Sequence, residues 1–203
     1  MKNLNTLFLA TSSLLLLVGC GPKEQKEVKQ LTASEFNERL TKIEKHVYKS
    51  ATVHAIGSIV GTDDFEMNRN EDRTEKYKYY PETDAWLSDE SVALLRRYIF
   101  SFDSLNSLKS WVEVSGFSYT YKYYSDLTIE ITEKGTFNDR YDNYTEIIEV
   151  DSEMTIKLNE HGFISELNGT YTNDITQTYT DSTIKHGTKS GVNKISVTFE
   201  ESK

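Results

Sequence analysis

From residue 116 onward the apolar positions of this chain recur at every second residue. Leu127, Ile129 and Ile131 alternate with Thr128, Glu130 and Thr132, Met154, Ile156 and Leu158 with Thr155 and Lys157, and Ile195, Val197 and Phe199 with Ser196 and Thr198. A period of two marks strands with one apolar face. Their links read as short turns at 125–126, 151–152, 159–162 and 172–174, with Gly162 suited to a left-handed position, and short links imply antiparallel neighbours. Upstream the period is helical. Phe36, Leu40, Ile43 and Val47 form one stripe, opened by Thr32 as N-cap with Glu35 reaching back and Leu31 as a staple on Phe36. This predicts a helix of about four turns fading near residue 49. Residues 52–60 and 74–80 then read as strands joined by an acidic loop over 62–72, and Pro81 stops the second. A second helical pattern covers residues 88–111. Ser88 suits an N-cap, Asp89 and Glu90 an acidic first turn, and Val92, Leu95, Ile99, Phe102 and Leu105 one face, with either a break after Phe102 or a second short helix carrying Leu105, Leu108 and Trp111. The expected fold class is α+β: a single wide, antiparallel, curved sheet, half-barrel-like, with the N-terminal and mid-chain helices on its apolar face.

The first thirty residues follow another pattern. Lys2 precedes an apolar stretch over residues 7–18, and Gly19 stands before Cys20, the single cysteine of the chain. This is the layout of a secretory signal peptide, and it is shorter than the roughly 20 apolar residues that span a bilayer. The tetrapeptide Leu17-Val18-Gly19-Cys20 resembles the lipobox of bacterial lipoproteins. The resemblance implies removal of residues 1–19 and a diacylglycerol thioether on Cys20, with an acylated (palmitate-type) N-terminus. Two acyl chains meet the requirement for lasting membrane attachment. Residues 20–30 are polar and charged and read as the lipidated cysteine and a flexible tether, leaving residues 31–203 as one α+β domain. The expected location is the extracytoplasmic side of a cell membrane, with the membrane as partner through Cys20.

Charge narrows the partners. The chain carries 23 Lys and Arg against 32 Asp and Glu, and loss of residues 1–19, which hold one lysine, takes the net charge from -9 to -10. An acidic body repels nucleic acid and anionic headgroups, so no nucleic-acid role is expected. With the thiol committed to the anchor no disulfide is available, so the domain depends on its core. Thirteen tyrosines add to the strand-favouring composition.

An exported chain with an N-terminal amphipathic helix, two early strands, an apolar helical segment and a long terminal meander resembles the lipoprotein-carrier fold of bacterial envelopes and the related mycobacterial lipid-binding lipoproteins. The resemblance spans most of residues 31–200 and rests on element order. It implies an apolar ligand between sheet and helices, with Val92, Leu95, Ile99 and Phe102 as lid and Ile129, Ile131, Ile156 and Leu158, flanked by Leu127 and Met154, as floor. The same residues also suit a closed core. Two functions therefore stand: a non-enzymatic module binding or carrying an apolar, lipid-like ligand, and an envelope interaction protein with a filled interior contacting another surface protein or polymer. Exposed Tyr77, Tyr79, Tyr121 and Tyr123 would favour the second.

Catalytic patterns are missing from the sequence. There is no Gly-x-Ser-x-Gly elbow and no phosphate loop, so no enzyme and no cofactor are expected. His46, His54, His161 and His186 are scattered, with no His-x-x-x-His pair, so no metal site is expected from spacing. Asp64, Glu66, Asn68, Asn70, Asp72 and Glu75 have the spacing of an EF-hand loop, but Arg69 stands where glycine is needed and Glu71 where an apolar residue is needed.

Overall fold

The computed structural model describes residues 27–90 and 93–201; the lipobox, Cys20 and Val92 lie outside them. Among the described residues nine strands form one antiparallel sheet in the order β1-β5-β6-β7-β8-β9-β2-β3-β4. The strands are β1 (Gln30–Leu31), β2 (Tyr48–Gly61), β3 (Met67–Tyr80), β4 (Ala85–Ser88), β5 (Phe117–Tyr124), β6 (Thr128–Arg140), β7 (Tyr144–Leu158), β8 (Ile164–Tyr179) and β9 (Ile184–Glu201), with helices α1 (Ala33–Thr41) and α2 (Leu105–Val112). The meander β5 to β9 is thus completed by the early hairpin β2-β3, which docks on the last strand.

Several expectations are corrected. The tether stops short of residue 30, because Gln30 pairs with Tyr124 and Ser125 N–H donates to the Lys29 carbonyl at 2.8 Å. The first helix is half as long as its stripe suggested. Thr32 and Glu35 form the capping box, but Lys42 closes α1, Val47 is exposed, and Tyr48 enters the sheet. The loop over 62–72 is a tight turn with a 3-10 segment at Asp63–Phe65, and residues 67–72 are already β3. The EF-hand spacing therefore lies along a strand, where alternate side chains face away from each other. No turn occurs at 151–152 or 172–174. β7 and β8 run straight through, paired residue by residue from Tyr144↔Tyr179 to Ile156↔Leu167.

The helix expected ahead of Phe102 is absent among the described residues, whereas the short helix expected to carry Leu105, Leu108 and Trp111 forms. Ser88 ends β4, residues Leu95–Tyr98 make a 3-10 turn, and α2 begins at Leu105 behind its own Ser104–Ser107 capping box. The backbone between them is claimed by the sheet. Ser101 bridges Phe163, Phe102 N–H donates to the Gly162 carbonyl at 2.9 Å, and Ile164 N–H to the Phe100 carbonyl at 3.3 Å. Cross-strand bonds and helical bonds compete for the same groups, and here the sheet wins.

Register fixes the two faces, since cross-strand partners point the same way. One carries Val53, Glu75, Tyr77, Tyr123, Ile129, Ile156, Leu167, Ile195 and Val197, and its apolar members form a single cluster with Phe36 and Leu40 of α1 and Leu105 and Leu108 of α2. Phe36 stacks on Tyr123 with ring centroids 5.0 Å apart. The other face carries Thr52, Thr74, Thr132, Thr155, Thr172 and Thr198 among lysines and carboxylates. Both sheet edges are defended: β1 and β4 are short, and the unpaired rim of β3 reads Asn-Arg-Asn-Glu-Asp-Arg. Charge on an exposed edge discourages strand addition by another chain.

Candidate functional site

Of the residues expected to bound a ligand cavity, Leu95, Ile99, Phe102, Ile129, Ile131, Ile156 and Leu158 all belong to the core cluster, between 0% and 9% exposed. Leu127 sits in the β5-β6 turn with φ of 65°, partly buried against the same cluster. Tyr77 and Tyr123 are buried on this face, and Tyr119, Tyr121 and Tyr123 stack as a ladder down β5. They line the core instead of an open surface.

One accessible trough lies beyond the core, beside α2. It encloses about 550 Å³ and is walled by Arg97, Tyr98 and Trp111 over a floor from β6 to β9. The register lays the floor down in rows. One row is Glu133, Ser152, Tyr171 and Gly191; a second is Ile131, Met154, Gly169 and Asn193; a third is Gly135, Val150 and Asn173. Tyr171 lies flat on Gly191, where a Cβ would stand 2.6 Å from its ring atoms. Glycine there is what lets an aromatic face lie along the sheet.

The wall is held in place by its own bonds. Trp111 Nε1 donates to the Arg97 carbonyl at 3.3 Å, and Arg97 donates from Nη2 to the Tyr98 hydroxyl at 2.7 Å while its guanidinium lies 4.9 Å from that ring centroid. On the floor Glu133 accepts from the Tyr119 hydroxyl at 2.7 Å and from Ser152 Oγ at 2.8 Å. Burial raises the Tyr119 and Tyr171 hydroxyls above the usual phenolic range, so both stay neutral donors. Asn173 Oδ1 is buried and has no hydrogen-bond partner. A buried amide oxygen without a donor costs free energy that an incoming N–H or O–H group would recover.

Of these trough residues the sequence pattern singled out Trp111, Ile131 and Met154, and it missed Arg97, Glu133, Tyr171 and Asn173. Arg97, Trp111, Glu133, Tyr171 and Asn173 come from four separate segments, which strand register and the docking of α2 and the 3-10 turn bring together. The histidines are also rearranged: His46 and His161 meet at the opposite end of the sheet, with ring centroids 4.3 Å apart. His54 instead pairs with Asp72 at 2.8 Å, and His186 with Thr176 at 3.1 Å. Among the described residues no helix is long and apolar enough to cross a membrane. No known protein family, curated protein or solved structure matches the chain.

Proposed function

We propose that this chain is a non-enzymatic binding lipoprotein, anchored through Cys20 on the extracytoplasmic side of a cell membrane, that grips a hydroxyl-rich, sugar-bearing surface polymer in the trough between Trp111 and Tyr171. The observation that carries the reading is the buried, unpartnered Asn173 Oδ1 in a trough that also offers aromatic faces and a guanidinium. Sugars present flat C–H faces to aromatic rings and donors to amide and carboxylate oxygens, which is the inventory found here. Seven of the eight residues that an apolar carrier would use to hold its ligand fill the core, which supports the interaction reading over the carrier reading. The finer architecture we propose is a half-barrel whose apolar face is closed by α1 and α2, supported by the shared cluster of Phe36, Leu40, Leu105 and Leu108 with the strand residues.

The chain has two tryptophans, Trp86 and Trp111. In a Trp86→Phe background the emission of Trp111 reports the trough alone. Titration of the detergent-solubilised full chain with oligosaccharides of defined linkage should shift that emission saturably, and Asn173→Ala should weaken binding roughly tenfold, the loss of one hydrogen bond. No saturable shift with neutral, amino or acidic sugars, together with a stoichiometric apolar adduct in native mass spectrometry, would overturn this reading in favour of the carrier.

A further inference from the structure

Three segments far apart in sequence converge at the end of the sheet remote from the trough: the lead-in to β2, the β7-β8 turn and the last residue of β9. They bring His46, His161 and Glu201 together, each offering one donor atom, with all three atoms within 4.8 Å of one another. We propose that these three side chains form a divalent transition-metal site, suited to Zn²⁺, that clips the end of β9 to the β7-β8 turn.

Two imidazoles and one carboxylate form a donor set that Zn²⁺ takes readily and that Ca²⁺ and Mg²⁺, which prefer oxygen, do not. His46 Nε2 is the independent sign. It is buried and 2.6 Å from Glu201 Oε2, and no hydrogen bond to it is formed. A buried ring nitrogen beside a carboxylate without a hydrogen bond is a donor pair that a cation would satisfy.

The turn carrying His161 is rigid. Asn159 Oδ1 accepts from both the His161 and Phe163 N–H groups at 3.0 Å, Asn159 Nδ2 donates to the Tyr48 hydroxyl at 3.0 Å, and Gly162 takes φ of 78°. His46 is packed against Tyr48, with centroids 4.5 Å apart. Donors held on ordered backbone lose little entropy on binding an ion. Ligand atoms around tetrahedral zinc sit roughly 3.4 Å apart, so capture requires a small closure. The stacked imidazoles open by ring rotation, and Glu201, whose side chain is 64% exposed, swings to meet them. Glu160, with Oε1 3.8 Å from His161 Nε2, is available as a further oxygen donor. The adjoining groove of about 620 Å³, lined by His46, Tyr48, Trp86, His161 and Phe163, leaves the ion reachable.

The test is isothermal titration of the metal-free, detergent-solubilised full chain with Zn²⁺ alone, and with Co²⁺ for its visible spectrum. One ion per chain is expected, with a tetrahedral or five-coordinate cobalt spectrum and no displacement by millimolar Ca²⁺ or Mg²⁺. His46→Asn and His161→Asn should each lower affinity at least tenfold. Glu201→Gln, at an exposed strand end, should do the same without altering the fold. His54→Asn and His186→Asn should leave binding unchanged. No heat at one equivalent, or binding that survives the His46→Asn/His161→Asn double variant, would overturn the proposal. Neither result bears on the trough, which shares no residue with this site.

Discussion

Glu75 reaches from β3 through the core to accept the Leu95 N–H at 3.3 Å, and so fastens the crossover segment to the sheet. It is the one buried charged residue among those described, 1% exposed. Tyr77 donates its hydroxyl to the same carboxylate, and Arg73 Nε lies 2.6 Å from the other oxygen while its Nη2 holds Glu90 at 2.9 Å. Removing the carboxylate strands a backbone N–H and a phenol in the core. Glu75→Ala should therefore destabilise the protein by about 3 kcal/mol, and Glu75→Gln, which keeps an acceptor, by about half that. Urea unfolding followed by circular dichroism measures both; equal losses would remove the acceptor argument.

The contact of Phe36 with Tyr123 anchors α1. Phe36 is fully buried and the helix has only nine residues, too few to be stable without tertiary contacts. Phe36→Ala should cost about 3–5 kcal/mol, whereas Thr32→Ala, which removes only the cap, should cost about 1 kcal/mol. A reversed order in chemical denaturation would mean that capping, and not docking, holds the helix.

Alkaline pH should unfold the protein early. Burial, reinforced by Glu75, pushes Tyr77 well above the usual phenolic range, and burial with Glu113 does the same to Tyr121. A raised folded pKa means that the stability is intact below pH about 10, where the unfolded phenol ionises, and falls as pH climbs from there toward the folded value. Stability should be flat through neutrality and drop steeply above pH 10. Phenolate absorbance should show the buried tyrosines ionising only together with unfolding; smooth titration of all thirteen near pH 10 would contradict this.

Gly162 holds the turn that presents His161. Its φ is 78°, and a Cβ would stand 2.8 Å from the Phe102 carbonyl oxygen that it packs against. Gly162→Ala should cost roughly 1–3 kcal/mol, and it should weaken zinc binding in the same titration that tests the site. A neutral effect on thermal stability would show that the turn relaxes.

The anchor is tested at Cys20. Cys20→Ala should move the expressed chain from the detergent-rich to the aqueous phase in detergent partitioning and abolish labelling by a fatty-acid probe. Unchanged partitioning would refute lipidation at that position.

Much of the architecture was readable because period-two alternation survives any context. Ile129, Ile131, Ile156, Leu158, Ile195 and Val197 all face the core as their pattern requires. The Thr32–Glu35 capping box was readable because it is closed within four residues. The errors cluster where polar residues and a helical period mislead. Asp151 and Ser152 look like a turn, yet in a strand they are simply alternate members of two faces. Leu95, Ile99 and Phe102 fit a helix by spacing, but Glu75 and Gly162 claim the backbone groups that the helix needed.

The sequence by itself determined that strands dominate, that they are antiparallel neighbours, which strand residues of period-two spacing from Ile129 to Val197 are buried, and that a lipobox-like tetrapeptide precedes a polar stretch. Each depends on near neighbours and on solvent, which the chain carries with it locally. The tertiary structure alone decided that β9 docks on β2, that Tyr171 and Trp111 face one trough, and that His46 meets His161 and Glu201. Those juxtapositions depend on strand register and long-range pairing, and a shift of one residue in β8 or β9 would turn Tyr171 or Glu201 to the opposite face.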